Sequence, residues 1–489
     1  MRDRAPSALA LLVGAALAST AAAAAGPDRP NVLWLVAEDF GPHLGCYGTA
    51  QVWTPNLDRL AAEGVRFTRA FTTAPVCSPS RSAFMTGMYQ TTIGAHNHRS
   101  HRDDGFRPPP GVRVAPEWFR AAGYFTANVR TFPEDVDVTG TGKTDWNFTV
   151  SGPAFDSDRW DDLAPRQPFL AQVNFQETHR PFRAPRRADP ARVVIPPYYP
   201  DHPVTRADYA QYLDAASALD AKVGRILQRL EADGLADRTI VVFMADHGEA
   251  HVRGKQFCYD SGLHIPLIVR WPHAFSPPAP YRPAAVDDRL IAAIDLLPTL
   301  LDVAAGVEKP AGMQGEVVLG DHAGPPRRYV FGARDRCDET VARFRTVRDA
   351  RYRYIRNFLP ERPFLQPNQY KERSYPVWNL IQELAAAGQL TPVQAVLAAP
   401  HMPREELYDL DADPYEIRNL IASDDPAHRE ARTRLRAELE RWIADSNDQG
   451  RIPEPPEVAA AKGATKPGSD PNAGQLPPRE PRRARDTSR

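Results

Sequence analysis

Apolar runs of strand length recur along the chain, separated by polar breaks marked with glycine and proline. Residues 31–37 (NVLWLVA) and 239–245 (TIVVFMA) are continuous apolar stretches, the pattern of strands buried on both faces of a parallel sheet. Residues 168–175 form a third such run, 65–71 alternates like a half-buried strand, and 123–129 and 263–272 read as extended. Helical signals fall between them. Thr54, Pro55 and Gly64 bracket one helix, 116–122 reads as another, and 295–301 starts a further one. Within 207–233, Tyr212, Leu213, Ala216, Leu219, Val223, Ile226, Leu227 and Leu230 share one helical face. Helices alternating with apolar strands predict an α/β sandwich.

The pattern changes character near 320–327, where a Gly-Pro-Arg-rich loop precedes a short apolar strand at 329–333. Two strand-like pieces, 344–348 and 352–356, then flank Asp349, Ala350 and Arg351 as in a hairpin. We therefore divide the chain into a large catalytic domain at 28–325 and a smaller C-terminal α+β subdomain at 326–445. Residues 452–489 are Pro- and Arg-rich with few large apolar groups, the composition of a disordered tail. At the other end, a basic start, an alanine-rich apolar centre and an Ala-x-Ala ending predict a secretory signal peptide at 1–25. The expectation is export to a periplasmic or extracellular space, with no membrane attachment after cleavage.

Charge and cysteine content narrow the partners. Lys+Arg of 60 against Asp+Glu of 61 gives a net charge of -1, which argues against nucleic acid and requires any anion recognition to be local. Four cysteines, Cys46, Cys77, Cys258 and Cys337, are too few for a disulfide scaffold, and spacing does not select a pair. Oligomeric state is not legible.

Candidate chemistry lies at the strand ends. The 31–37 run finishes in Glu38-Asp39 and the 239–245 run in Asp246-His247, at the carboxyl edge where open α/β sheets bind ligands. Three oxygen donors and one imidazole suit a hard cation, calcium or magnesium. Between these blocks, Cys77-Ser78-Pro79-Ser80-Arg81 leads into a helix-forming run, so backbone donors and a guanidinium converge near the Cys77 side chain.

These residues carry a family resemblance. The series Cys77-Ser78-Pro79-Ser80-Arg81 with Thr86-Gly87, together with blocks at 31–41, 246–249, 255–271, 295–299 and 406–414, resembles the type I sulfatases of the alkaline phosphatase-like superfamily. The carboxyl half is most similar in character to sulfatases related to N-sulfoglucosamine sulfohydrolase. The resemblance implies a large mixed, mostly parallel central sheet flanked by helices. It also implies conversion of Cys77 to formylglycine by a formylglycine-generating enzyme, and one calcium ion held by Glu38, Asp39, Asp246, His247 and residue 77. Arg81 would support the formylglycine, while Lys143, His179 and Lys255 would neutralise sulfate oxygens or protonate the leaving group, with His179 as the general acid. The implied reaction is hydrolysis of an O- or N-sulfate on a sulfated saccharide.

Two positions depart from the family pattern. Glu38 stands where many members carry Asp, and Asp145 where many carry His two residues after the lysine. His96, His98, His101 and His264 are candidates to replace the missing imidazole. We also expect Asp145, His264, Arg334 and Arg336 to contact substrate, the arginines by gripping a second sulfate or a carboxylate. Two rival readings share these residues: a formylglycine-dependent phosphonate or phosphate monoester hydrolase, and a non-catalytic binder of sulfated glycans with Cys77 unmodified.

Overall fold

In the computed structural model the described residues are 28–102, 104–457 and the single positions 470, 472 and 476. The expected signal peptide and most of the expected tail lie outside them. The first nine strands are β1 Asn31–Ala37, β2 Val65–Phe71, β3 Phe125–Thr131, β4 Ser157–Arg159, β5 Phe169–Phe175, β6 Thr239–Ala245, β7 His264–Arg270, β8 Ala285–Asp287 and β9 Ile291–Ala292. They form one sheet in the order β4-β3-β5-β1-β6-β7-β2-β8, with β9 also pairing β2. Pairing is parallel from β4 through β6, and antiparallel only where β7 meets β6 and β2. The sheet is therefore mixed and mostly parallel, and β1, β5 and β6 are buried along their whole length.

Four helices matter for the site: α1 Pro55–Glu63, α2 Cys77–Thr86, α3 Ala115–Ala121 and α4 Pro203–Ala232. The apolar stripe foreseen at 207–233 faces inward along α4, with Tyr212, Leu219, Val223, Ile226 and Leu230 fully buried. Every residue of α2 is buried, hydroxyls included. Two of those hydroxyls are satisfied within the helix: Ser82 donates to the Ser78 carbonyl at 2.7 Å and Thr86 to the Ser82 carbonyl at 2.7 Å. Gly87, in the left-handed region at φ 67°, ends the helix.

Four further strands, β10 Val330–Arg334, β11 Phe344–Arg348, β12 Tyr352–Asn357 and β13 Glu405–Asp409, make a separate antiparallel sheet in sequence order. The hairpin read from 344–356 is its centre; β13, with only five residues, three of them acids, had no strand signal of its own. This sheet sits against the loop before α2: Ala333 N–H donates to the Thr73 carbonyl at 2.9 Å, and a Cβ at Gly332 would meet Leu263 Cδ1 at 2.9 Å. Two described positions of the stretch read as a disordered tail also pack on the body. Asp470 pairs with Arg102 at 3.2 Å, and Asn472 donates to the Phe148 carbonyl at 2.7 Å. Their polar side chains meet loop groups that the main sheet leaves unpaired, which composition does not reveal. Among the described residues no helix is long and apolar enough to cross a membrane, and all four cysteines are unpaired.

A buried ion pair fastens α4 to the loop after β5: Arg180 Nη1 donates to Asp208 Oδ1 at 2.7 Å and Nη2 to Oδ2 at 2.5 Å. Burial pushes the Asp208 carboxyl up, but the Arg180 guanidinium outweighs it and holds the pKa down at about 2. An unfolded aspartate titrates near 3.9, so this stabilisation is present above about pH 4 and is lost as pH falls toward 2. Asp208→Asn is expected to cost about 2 kcal/mol at pH 7. Urea unfolding should show that cost shrinking as pH drops to 3; parallel unfolding curves at all pH values would contradict the coupling.

Candidate active site

Parallel pairing of β1 with β6 aligns Ala37 with Ala245, so the two acidic strand ends emerge side by side at the carboxyl edge of the sheet. Asp39 N–H donates to Asp246 Oδ1 at 2.9 Å, and so does His247 N–H at 3.0 Å, which locks the two turns together. Asp39 adopts a left-handed backbone, φ 51°, a conformation that aspartate tolerates and that bends its carboxylate back over the edge. α2 begins at Cys77, and Ser80 Oγ donates to the Asp246 carbonyl at 2.5 Å, which places the first turn of that helix against the end of β6. Donor atoms from Asp39, Cys77, Asp246 and His247 thereby lie within 4.8 Å of one another, all buried.

Basic groups surround this cluster. Lys255 Nζ reaches Asp39 Oδ2 at 2.7 Å, Cys77 Sγ at 3.6 Å and His179 Nε2 at 3.4 Å. Burial pulls the Lys255 pKa down, yet the Asp39 carboxylate outweighs it and holds the ammonium charged; the same pairing keeps Asp39 well below the usual carboxylate range against its burial. Arg81 Nε donates to Asp246 Oδ2 at 2.9 Å and Nη1 to Asn174 Oδ1 at 2.7 Å. Its Nη2 is buried without a hydrogen-bond partner among the described residues.

Both imidazoles have their tautomers set by carbonyls. His247 Nδ1 lies 3.0 Å from the Gly248 carbonyl, so Nδ1 carries a proton and Nε2 faces Cys77 Sγ at 3.3 Å and Asp39 Oδ1 at 3.0 Å. Burial opposes charge on His247, but Asp246 and Asp39 outweigh it and raise its pKa to about 10. His179 Nδ1 lies 2.8 Å from the Arg180 carbonyl, which turns Nε2 toward Lys255. Burial lowers the His179 pKa, with Asp39 opposing.

Glu38 is not among the four converging donors; its Oε2 meets Lys143 Nζ at 2.6 Å. Lys143 in turn stands 3.6 Å from Asp145, whose other partners are Arg99, at 2.9 Å from each carboxylate oxygen, and the buried Arg102. Asp145 thus anchors a cluster of cations. Burial raises the Asp145 pKa, and Arg99 and Lys143 more than reverse that.

Three residues expected at the substrate have partners inside the protein. His264 donates to the Thr68 carbonyl, 2.8 Å away, and stacks on Phe71 with centroids 4.9 Å apart, because β7 pairs it with β2. Arg334 is 2% exposed, bonded to Thr340 and placed near the Phe257 and Phe344 rings. Arg336 spends its charge on Glu454 at 2.5 Å. Conversely, Asn174, Arg99 and Arg102 were not anticipated. Asn174 had a signal, a polar residue inside the apolar run of β5, where it accepts from Arg81 and donates to Asn128 at 3.0 Å.

The mixed, mostly parallel sheet with helices around it and a small antiparallel sheet beside it has the alkaline phosphatase-like fold. The profile of the family described as Sulfatase matches residues 30–307. An ulvan-active sulfatase of Formosa agariphila is 34% identical over 481 residues, spanning 88% of this chain and 77% of that one. The human N-sulphoglucosamine sulphohydrolase is 28% identical over 468 residues, spanning 86% of this chain and 91% of that one. In fold, a solved 2-O GAG sulfatase superposes with a TM-score of 0.61 at 21% identity, covering 92% of this chain and 99% of that chain. The chain belongs to the sulfatase family, whose members are sulfuric ester hydrolases.

Asp145→Asn should leave Arg102 buried without full charge compensation and cost about 3 kcal/mol. Denaturant unfolding reads that cost; an unchanged midpoint would show the cluster to be solvated and without structural weight.

Proposed function

We propose that the protein is an exported hydrolase that releases sulfate from a sulfated saccharide, using formylglycine made from Cys77 and one calcium ion. The observation that carries this reading is the convergence of Cys77 with Asp39, Asp246 and His247 in a chain of this family. The donor set fits a hard divalent cation. It offers two fully buried carboxylates and an imidazole whose Nε2 faces them, and Arg81 Nη2 is a buried donor with no partner among the described residues, suited to an added oxygen at position 77.

When bound, calcium supplies a positive centre that draws the sulfate oxygens and polarises the ester. Asp39, Asp246 and His247 would hold it, with Glu38 one side chain away and engaged with Lys143. A hydrated aldehyde at position 77 would supply an oxygen nucleophile for sulfur. Arg81, fixed by Asp246 and Asn174, steadies that group. Lys255 and Lys143 offset the charge of the sulfate oxygens. In its imidazolium form, which the neighbouring Asp39 carboxylate favours, His179 carries a second proton on Nε2 and delivers it to the departing group. Maturation requires a formylglycine-generating enzyme, and residues 1–25 direct export. The substrate class is a sulfated saccharide, as the names of the ulvan-active and N-sulphoglucosamine relatives suggest.

Peptide mass spectrometry across Cys77 in natively expressed protein, combined with ion chromatography of released sulfate, tests the reading. Conversion of the thiol to the aldehyde and sulfate release that Cys77→Ala abolishes, by roughly a thousandfold or more, are expected. Unmodified thiol with saccharide binding but no release would make the protein a binder. A strong preference for an aryl phosphate over an aryl sulfate would make it a phosphoester hydrolase.

A further inference from the structure

A cleft of about 650 Å³ opens from the site, with Glu38, Lys143 and His179 on its walls and Arg183 and Lys222 farther along. That space exceeds what a sulfate group needs. The cations lining it differ in one respect. Lys143 is matched by Glu38, Arg99 by Asp145, Arg180 by Asp208 and Lys222 by Glu177. Arg183 is exposed and has no hydrogen bond or ion pair among the described residues. It lies four residues beyond His179 on the loop after β5, so the proposed proton donor and an unmatched guanidinium occupy the same wall.

Resting on the sulfatase reading, we propose that Arg183 is a specificity-determining residue that binds a second anionic group, a carboxylate or a sulfate, on the sugar adjoining the one that loses its sulfate. The argument is one of charge and placement. Lys143 serves the reacting sulfate, and Arg99, Arg180 and Lys222 already hold internal acids that a further anion would have to displace, so among the described residues Arg183 is the lining cation left for a second anion. An unpaired arginine at the wall of a polar cleft offers a planar fork to carboxylate or sulfate with both N–H donors available. The preferred substrate is then an oligosaccharide carrying at least two anionic groups. Arg183 makes its contact away from the breaking bond, so it acts alike in the ground and transition states. Its loss therefore raises KM and spares kcat.

The test compares wild type, Arg183→Ala and Arg183→Lys on oligosaccharides of ulvan and of a glycan containing N-sulfoglucosamine. Each is used native and with its uronate carboxyls reduced to alcohols, alongside a singly sulfated monosaccharide. Arg183→Ala is expected to raise KM about tenfold on native oligosaccharides, the loss of one charge-assisted contact, with kcat within about twofold. Arg183→Lys should recover part of the loss, and the monosaccharide should be unaffected. If carboxyl reduction erases the difference between wild type and Arg183→Ala, the partner is a uronate; if the difference persists, it is a second sulfate. Equal KM values for wild type and Arg183→Ala on native oligosaccharides, or an equal loss on the monosaccharide, overturn the inference while leaving the sulfatase reading intact. Absence of sulfate release from every substrate by formylglycine-bearing protein overturns both.

Discussion

Two carboxylates with no exposure to solvent, those of Asp39 and Asp246, set the terms for the structure around them. An isolated buried carboxylate costs far more than a folded domain can supply, so each must be matched by charge. Lys255 matches Asp39, Arg81 matches Asp246, and His247 stands between them. Meeting that demand brings together segments distant in sequence. β1 and β6 must be adjacent and parallel, α2 must place Arg81 against the end of β6, and the loop after β6 must fold back far enough to return Lys255. That last return depends on close backbone packing: a Cβ on Gly248 would lie 2.2 Å from the Ser261 carbonyl, where no side chain fits.

The same demand explains why the centre suits a hard cation. Asp39 Oδ1, although shared with Lys255, faces Cys77 Sγ at 3.6 Å and His247 Nε2 at 3.0 Å, and the carbonyl of Gly248 keeps the imidazole from turning away. The second ring of charge, Glu38 with Lys143 and Asp145 with Arg99 and Arg102, is arranged differently. There the acids are fully occupied by cations, so this ring positions groups at the mouth of the cleft. The longer Glu38 side chain fits this division, since its carboxylate is taken up by Lys143 at 2.6 Å.

Much of this was legible in the sequence. Long apolar runs announced β1, β5 and β6, because strands buried on both faces leave no polar alternation, and the acids terminating two of them marked the edge of the sheet. The four convergent donors and Lys255, His179 and Arg81 were all named from pattern and resemblance. Legibility ended where partners are chosen across the fold. The short strands β4, β8, β9 and β13 carry too few residues for periodicity to show. Arg334 and Arg336 were expected to grip an anion, but Arg334 lies buried against Thr340 and the Phe257 and Phe344 rings, and Arg336 is paired with Glu454. His264 was drawn into the site by residue type alone, and its strand position turns it to Thr68 and Phe71. Arg183 went unnoticed for the opposite reason: its meaning lies in what it does not touch.

The central claim is that the buried acids at the ends of β1 and β6 form a divalent-cation site beside Cys77. Calcium titration of metal-stripped protein, followed by calorimetry and by melting temperature, tests it without reference to turnover. The account predicts one calcium ion bound per chain and a melting temperature that rises with calcium concentration. No heat of binding together with an unchanged melting temperature would contradict it.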